Sequence, residues 1–322
     1  MDWLPVPAAV CAAALLLDYG LGEPRRWHPL VGFGRLASAL EARLNSSPSP
    51  SPSPSPSPSP GVGRGLLAVL VLTAPLTGLA WLTVSLAPAW LALVLEVTGL
   101  WLALSLRGLK EHGLAVAEPL RAGELDAARS SVGRIVSRDT KALDETEVAA
   151  AATESMLENG ADAVFASLFW YLLAGLPGVL LHRMINTLDA MWGYRTERFL
   201  TFGRVAARLD DAMNWFPARL TALTYAVLGR TRQALRCWRT QGPTWESPNA
   251  GPVMAAGAGA LGVTLGGPAP YHGGLKQRPV LGVGPRASAD SIAAALVLVE
   301  RGAWVWVVLY AMGILIMTGG HG

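Results

Sequence analysis

The sequence predicts an all-α, polytopic integral membrane protein: a helical bundle with cytoplasmic helical loops and re-entrant segments. Three observations carry this. Apolar residues make up 52% of the 322 residues and charged residues only 15%, against about 25% charged in soluble domains. The apolar residues come in blocks, some long enough to cross a ~30 Å hydrocarbon core. The remaining charges gather in short clusters between those blocks. A net charge of +3 supplies no basic field, so no nucleic-acid partner is expected. All but three of the 26 basic residues are Arg. In a chain rich in Ala, Gly and Pro this is mostly composition, although Arg also suits forked contacts to phosphate and carboxylate. Cys11 and Cys237 allow no zinc spacing and no disulfide framework.

Taken in order, Leu4 to Leu17 is a modest apolar block. It is read as a retained helix, because the basic start of a signal peptide is missing and Asp2 is acidic. Residues 46–60, SSPSPSPSPSPSPSP, form a low-complexity linker of polyproline type inside the first cytoplasmic loop. Leu66 to Leu106 carries a single charge, Glu96, and is about twice the length one span needs. Pro88 is its natural turn, which predicts a hairpin of two membrane helices. Val164 to Ile185 is apolar but interrupted by Gly175-Leu176-Pro177-Gly178. Each half, at about 11 residues, is too short to span alone. A re-entrant hairpin covered by protein fits, with a kinked full span as the alternative. Gly251 to Gly267 is rich in small residues that allow close helix packing. Ala303 to Thr318 is a further span, with Trp304 and Trp306 as interfacial anchors. The whole of 1–322 reads as one membrane-embedded domain. Basic residues concentrate in 22–64 and 107–160, which the Pro88 hairpin places on one side. By the positive-inside rule that side is the cytoplasm, and a re-entrant 164–185 keeps 183–239 there too.

Five polar clusters stand out. Asp18, Glu23 and His28 crowd a Gly-rich segment. Val132 to Thr140 holds Arg134, Arg138 and Asp139; if helical, the two Arg face one anion. Glu154, Glu158 and Asp162 recur every four residues, so on a helix they share a face. Like charges at that spacing repel, and such a ladder suits Mg²⁺, which takes one or two carboxylates plus substrate phosphates. A fourth cluster contains Asn186, Asp189 and Tyr194, then Asp210, Asp211, Asn214 and Arg219. Unpaired carboxylates beside apolar segments are expensive, so ion, phosphate or Arg partners are expected. The fifth, Ser247 to Gly251, includes Asn249. Turns, caps and solvated helix faces are the plain alternatives for each. No Walker A loop, Ser-His-Asp set or HExxH motif is present.

Six segments occur in order: DYGLGEPRRWHPLVGFGRL, VGRIVSRDT, ESMLENGAD, INTLDAMWGY, ARLDDAMNWFPARL and SPNAGPVMAAGAGALGVTLGG. Together they resemble the CobD/CbiB family of cobalamin biosynthesis, adenosylcobinamide-phosphate synthase, over roughly residues 10–275. The Ser-Pro insert and Ser167, where the family usually has Pro, depart from it. The resemblance implies amide formation between adenosylcobyric acid and aminopropanol or its phosphate, dependent on ATP and Mg²⁺, at the cell membrane. The expected partners are those substrates, the lipid bilayer and other late cobalamin-pathway membrane enzymes. On this basis Asp139, Arg134, Arg138, Asp210 and Asp211 are the catalytic candidates. Asp18, Glu23, His28, Asn186, Asp189, Tyr194, Asn214, Arg219 and Asn249 are the substrate-binding candidates, and Glu154, Glu158 and Asp162 the metal ligands. An AmpE-like membrane sensor of the same superfamily would keep the helices without this polar set. A transporter would place its charges within full spans.

Overall fold

The computed structural model describes residues 6–24, 28–45, 60–271 and 274–319. Residues 46–59 of the Ser-Pro tract lie outside them. The chain is an all-α polytopic membrane protein, with four helices long and apolar enough to cross a membrane, at 61–86, 89–121, 145–192 and 289–316. It divides into two compact units.

The first unit comprises Met1–Gly22, Ser105–Ala166 and Trp215–Gly322. It holds α1 (Val6–Leu21), α5 (Leu106–Arg121), α6 (Leu125–Val132), α7 (Glu145–Gly160), α10 (Thr231–Gln241), α11 (Ala250–Leu261) and α12 (Ala289–Gly319). It also holds the second half of α9 (Arg204–Leu228). A reciprocal capping box starts α7: the Asp144 carboxylate accepts from Glu147 N–H, and Glu147 accepts from Asp144 N–H. The small-residue reading of 251–267 is borne out as far as Leu261. In α11, Ala250 to Ala260 are all buried. A Cβ at Gly259 would lie 2.7 Å from the Ala234 backbone, and one at Gly257 the same distance from Leu157. Small side chains therefore let α10 and α7 close on α11. The helix stops earlier than the composition suggests, because Gly262 takes a left-handed φ of 70°. Two short antiparallel ribbons follow, which the sequence did not announce: β1 (Thr264–Gly266) with β4 (Val280–Gly282), and β2 (Ala269–Tyr271) with β3 (Gly274–Lys276).

The second unit comprises Glu23–Leu104 and Ser167–Asn214. It contains α2 (Pro29–Leu44), α3 (Pro60–Leu86), α4 (Ala89–Ala103) and almost all of α8 (Ala166–Trp192). The α3–α4 hairpin turns at Pro88, as expected. Its core joins Phe33 and Ala37 of α2, Ala68, Val69 and Leu72 of α3, and Met184, Ile185, Leu188 and Trp192 of α8. Trp192 meets Phe202 edge-on at 5.0 Å between centroids.

The interruption in α8 falls where Gly-Leu-Pro-Gly predicts it. Ala174 and Gly175 leave helical geometry, Gly175 with φ of 61°. A Cβ on Gly178 would lie 2.6 Å from the Trp170 carbonyl oxygen, eight residues back. On a straight helix those positions are about 12 Å apart. Both ends of the segment meet the same end of the α3–α4 hairpin. Ser167 Oγ donates to the Ala103 carbonyl at the end of α4. At the other end Trp192 packs with Phe202, whose carbonyl abuts Gly65 near the start of α3. The segment thus enters and leaves on the side opposite the Pro88 turn, which is the re-entrant arrangement.

Candidate functional site

Each unit carries its own polar centre. In the first, Glu154 is buried to 2% exposure and fully engaged. Its Oε1 accepts from Gly266 N–H at 2.7 Å and from Arg278 at 3.2 Å, and Oε2 accepts from Arg278 at 2.9 Å and from Arg138. Arg278 also donates to the Gly267 carbonyl at 3.0 Å and stacks over Trp245. Ser155 holds the Ile135 carbonyl, and Asp139 N–H donates to Pro270 O. The segment 134–140 is thereby pinned between α7 and the ribbons. Two guanidinium groups around one buried carboxylate offset the cost of its desolvation through charge and hydrogen bonding together.

This geometry corrects two expectations. Helix α6 ends at Val132, so Arg134 and Arg138 do not share a helical face. Arg134 is exposed, while Arg138 turns inward onto Glu154. The carboxylate ladder is also not three open ligands. Glu154 is taken by arginines, Glu158 is half-buried, and Asp162 falls in a π-helical turn, Ala161–Phe165, that breaks the four-residue register. Among the described residues no group of three or more His, Cys, Asp or Glu could hold a metal ion. Among the described residues the ladder does not form a dedicated Mg²⁺ cage.

Several substrate-binding candidates make structural contacts. Asp18 Oδ2 accepts from Arg107 N–H at 2.8 Å and so caps α5. Arg107 in return donates to the Gly20 and Tyr19 carbonyls at the end of α1, and pairs with Glu111. Asn249 Oδ1 accepts from Arg219 at 3.0 Å, and Arg219 stacks on Trp215. In the second unit, His28 caps α2 by accepting from Leu30 N–H. Glu23 and Tyr194 are exposed.

The second centre lies between α8 and the first half of α9. His182 Nε2 and Asn214 Oδ1 are 2.9 Å apart, both residues buried. One turn on, Asn186 donates to Asp210 Oδ1 at 3.2 Å. These rungs bring together Asn186, Asp210 and Asn214, three residues of the fourth sequence cluster. Asp189 belongs to the same charged group, within electrostatic reach of Asp210 and Asp211. Burial raises the Asp210 carboxyl above its ordinary range, with the Asn186 and Asn214 amides opposing. Burial raises Asp211 too, against Arg195 and Arg208. Sequence reasoning missed His182, a lone His in an apolar run. It also missed Arg278, which lies 124 residues from its partner Glu154. A further lock went unnoticed: Arg198 grips the buried Glu41 with two hydrogen bonds of 3.0 and 2.6 Å, and Asn45 joins them.

The sequence family described as CobD/Cbib protein matches residues 11–299. The chain belongs to the CobD/CbiB family. Curated relatives named cobalamin biosynthesis protein CobD include one from Stutzerimonas stutzeri, 59% identical over 93% of this chain and 95% of its own length. Another, from Chromobacterium violaceum, is 55% identical over 92% and 93%. One from Mycobacterium tuberculosis is 38% identical over 91% and 92%. No solved structure matches. The CobD/CbiB match covers both polar centres.

Proposed function

We propose that the protein is the adenosylcobinamide-phosphate synthase of cobalamin biosynthesis. It joins a propionate carboxylate of adenosylcobyric acid to the amine of (R)-1-amino-2-propanol or its O-phosphate, at the cytoplasmic face of the cell membrane. The observation that carries this is the ordered set of six polar motifs in a chain 59% identical to a protein named cobalamin biosynthesis protein CobD.

A carboxylate and an amine do not condense in water without activation. In the proposed reaction the carboxylate oxygen attacks the γ-phosphorus of ATP, giving an acyl phosphate and ADP. The amine nitrogen then attacks the acyl carbon, phosphate leaves, and the amine gives up a proton. Mg²⁺ enters with the nucleotide as part of that substrate. The protein's task is positioning and neutralisation. Exposed Arg134 is suited to phosphate; Asp139 follows it on the same pinned segment, and Glu158 lies on α7. Asp210, held above the usual carboxylate range, is suited to accept the amine proton.

Membranes carrying the protein test this directly. With adenosylcobyric acid, aminopropanol phosphate, ATP and Mg²⁺ they should form adenosylcobinamide phosphate, and free aminopropanol should give adenosylcobinamide if the unphosphorylated amine is used. No product with either amine, from protein that is correctly inserted, overturns the proposal.

A further inference from the structure

Helix α9 is not one of the four apolar spans, yet its second half exposes a continuous apolar stripe. Phe216, Leu220, Leu223 and Val227 are 63%, 40%, 46% and 63% exposed. Their spacing of four, three and four puts them on one face. The opposite face is packed: Ala218, Thr221, Ala222 and Tyr225 are buried, and the Tyr225 hydroxyl donates to the Leu157 carbonyl. We propose that this half of α9 lies in the bilayer interface as an in-plane amphipathic helix, and that the arginines of α10 rest on anionic phospholipid headgroups.

Two observations set the depth and the partner. Trp306 Nε1 donates to Thr224 Oγ1 at 2.8 Å, and Gly302 of α12 packs against the same Thr224. On α12 the last charges are Glu300, paired with Lys110, and Arg301. Beyond them Val308, Leu309, Met312, Leu315 and Ile316 present an exposed apolar face. Thr224 therefore sits where a membrane span passes from charged to lipid-facing residues. Trp306 lies at this level, as interfacial aromatics do. Helix α10 and the turn before it define the partner's charge. Residues 229–241 contain no Asp or Glu. Arg230, Arg232, Arg236 and Arg239 are exposed, and among the described residues none pairs with a carboxylate. Ala234 and Cys237 form the buried face of α10. An apolar stripe followed within three residues by a one-signed basic helix matches an anionic leaflet. A second protein copy would need carboxylates opposite those arginines.

The inference is independent of the proposed reaction and is tested without it. Single cysteines replace Leu220, Leu223 or Thr240 in the full-length protein; the buried Cys11 and Cys237 leave the parent as the blank. Each variant is labelled with bimane and reconstituted in phosphatidylcholine vesicles containing phosphatidylglycerol. Spin-labelled acyl chains should quench the labels at 220 and 223 at least twofold more than aqueous iodide does. A label at 240 should be quenched at least twofold more by headgroup-labelled phosphatidylglycerol than by headgroup-labelled phosphatidylcholine. That preference should vanish when Arg232, Arg236 and Arg239 are changed to Gln. Iodide quenching at 220 and 223 would show a water-facing helix. Protection from both quenchers, with Leu223→Cys cross-linking between copies, would show a protein interface. Either result overturns the proposal, as does a label at 240 that ignores lipid charge.

Discussion

Glu154 and Glu158 stand one helical turn apart in very different surroundings. Glu154 is the acceptor for two buried arginines and a backbone N–H; Glu158 is half-buried. Glu154→Gln should leave uncompensated buried charge, a loss of about 3 kcal/mol, seen as a lower thermal midpoint with the Mg²⁺ dependence of residual activity unchanged. Pairing it with Arg278→Gln should recover part of the loss. Glu158→Gln should leave stability nearly intact and slow product formation at least tenfold, ~1.4 kcal/mol in the transition state, with a higher Mg²⁺ requirement. Equal rates and equal Mg²⁺ curves for wild type and Glu158→Gln would remove that residue from the site. Asp210 bears on pH. Its carboxyl is held above the ordinary range near 3.9, so as pH falls it takes up its proton earlier than a free Asp. Turnover should therefore decline on the acid side at a pH above that value. Asp210→Asn should abolish this limb and cost roughly 10²- to 10⁴-fold in kcat. An unchanged acid limb in the variant would show that another group sets it.

At the scale of elements, the parts written in local composition were legible. Pro88 between two apolar runs gave the hairpin, Gly175-Leu176-Pro177-Gly178 gave the reversal in α8, and the Ala/Gly run gave the buried α11. What stayed hidden depends on long-range contact or on local geometry without a strong signature. Arg278 reaches Glu154 from a Gly- and Pro-rich stretch whose two-stranded ribbons are only three residues long. The spacing of Arg134 and Arg138 suggested one helical face, but the helix stops before them at Val132. The π-turn at Asp162 has no composition cue. For the first cluster the plain alternative, capping, is what Asp18 and His28 do in the structure. The Ser-Pro tract offers no side chains able to build a core, and we propose that it is a spacer. Deleting residues 47–60 should leave product formation nearly unchanged in membranes. A loss of activity with normal insertion would assign the tract a role beyond spacing.

Within the second unit, both ends of the apolar segment of α8 lie away from the Pro88 turn, and we propose, from the basic residues of 22–64 and 107–160, that the polar motif segments face the cytoplasm. A membrane-impermeant maleimide applied from outside should therefore miss Lys141→Cys, Tyr194→Cys and Arg208→Cys, yet label Leu86→Cys beside the Pro88 turn. External labelling at 194 with none at 141 would mean that α8 crosses the bilayer completely. The chemistry itself is tested most directly by following oxygen. Adenosylcobyric acid labelled with ¹⁸O in its free carboxylate is incubated with purified protein, aminopropanol phosphate, ATP and Mg²⁺. Activation by phosphoryl transfer predicts one ¹⁸O in the inorganic phosphate for each amide formed, with ADP in equal amount. Amide formed with no ¹⁸O in phosphate, or formed without ATP, would contradict it.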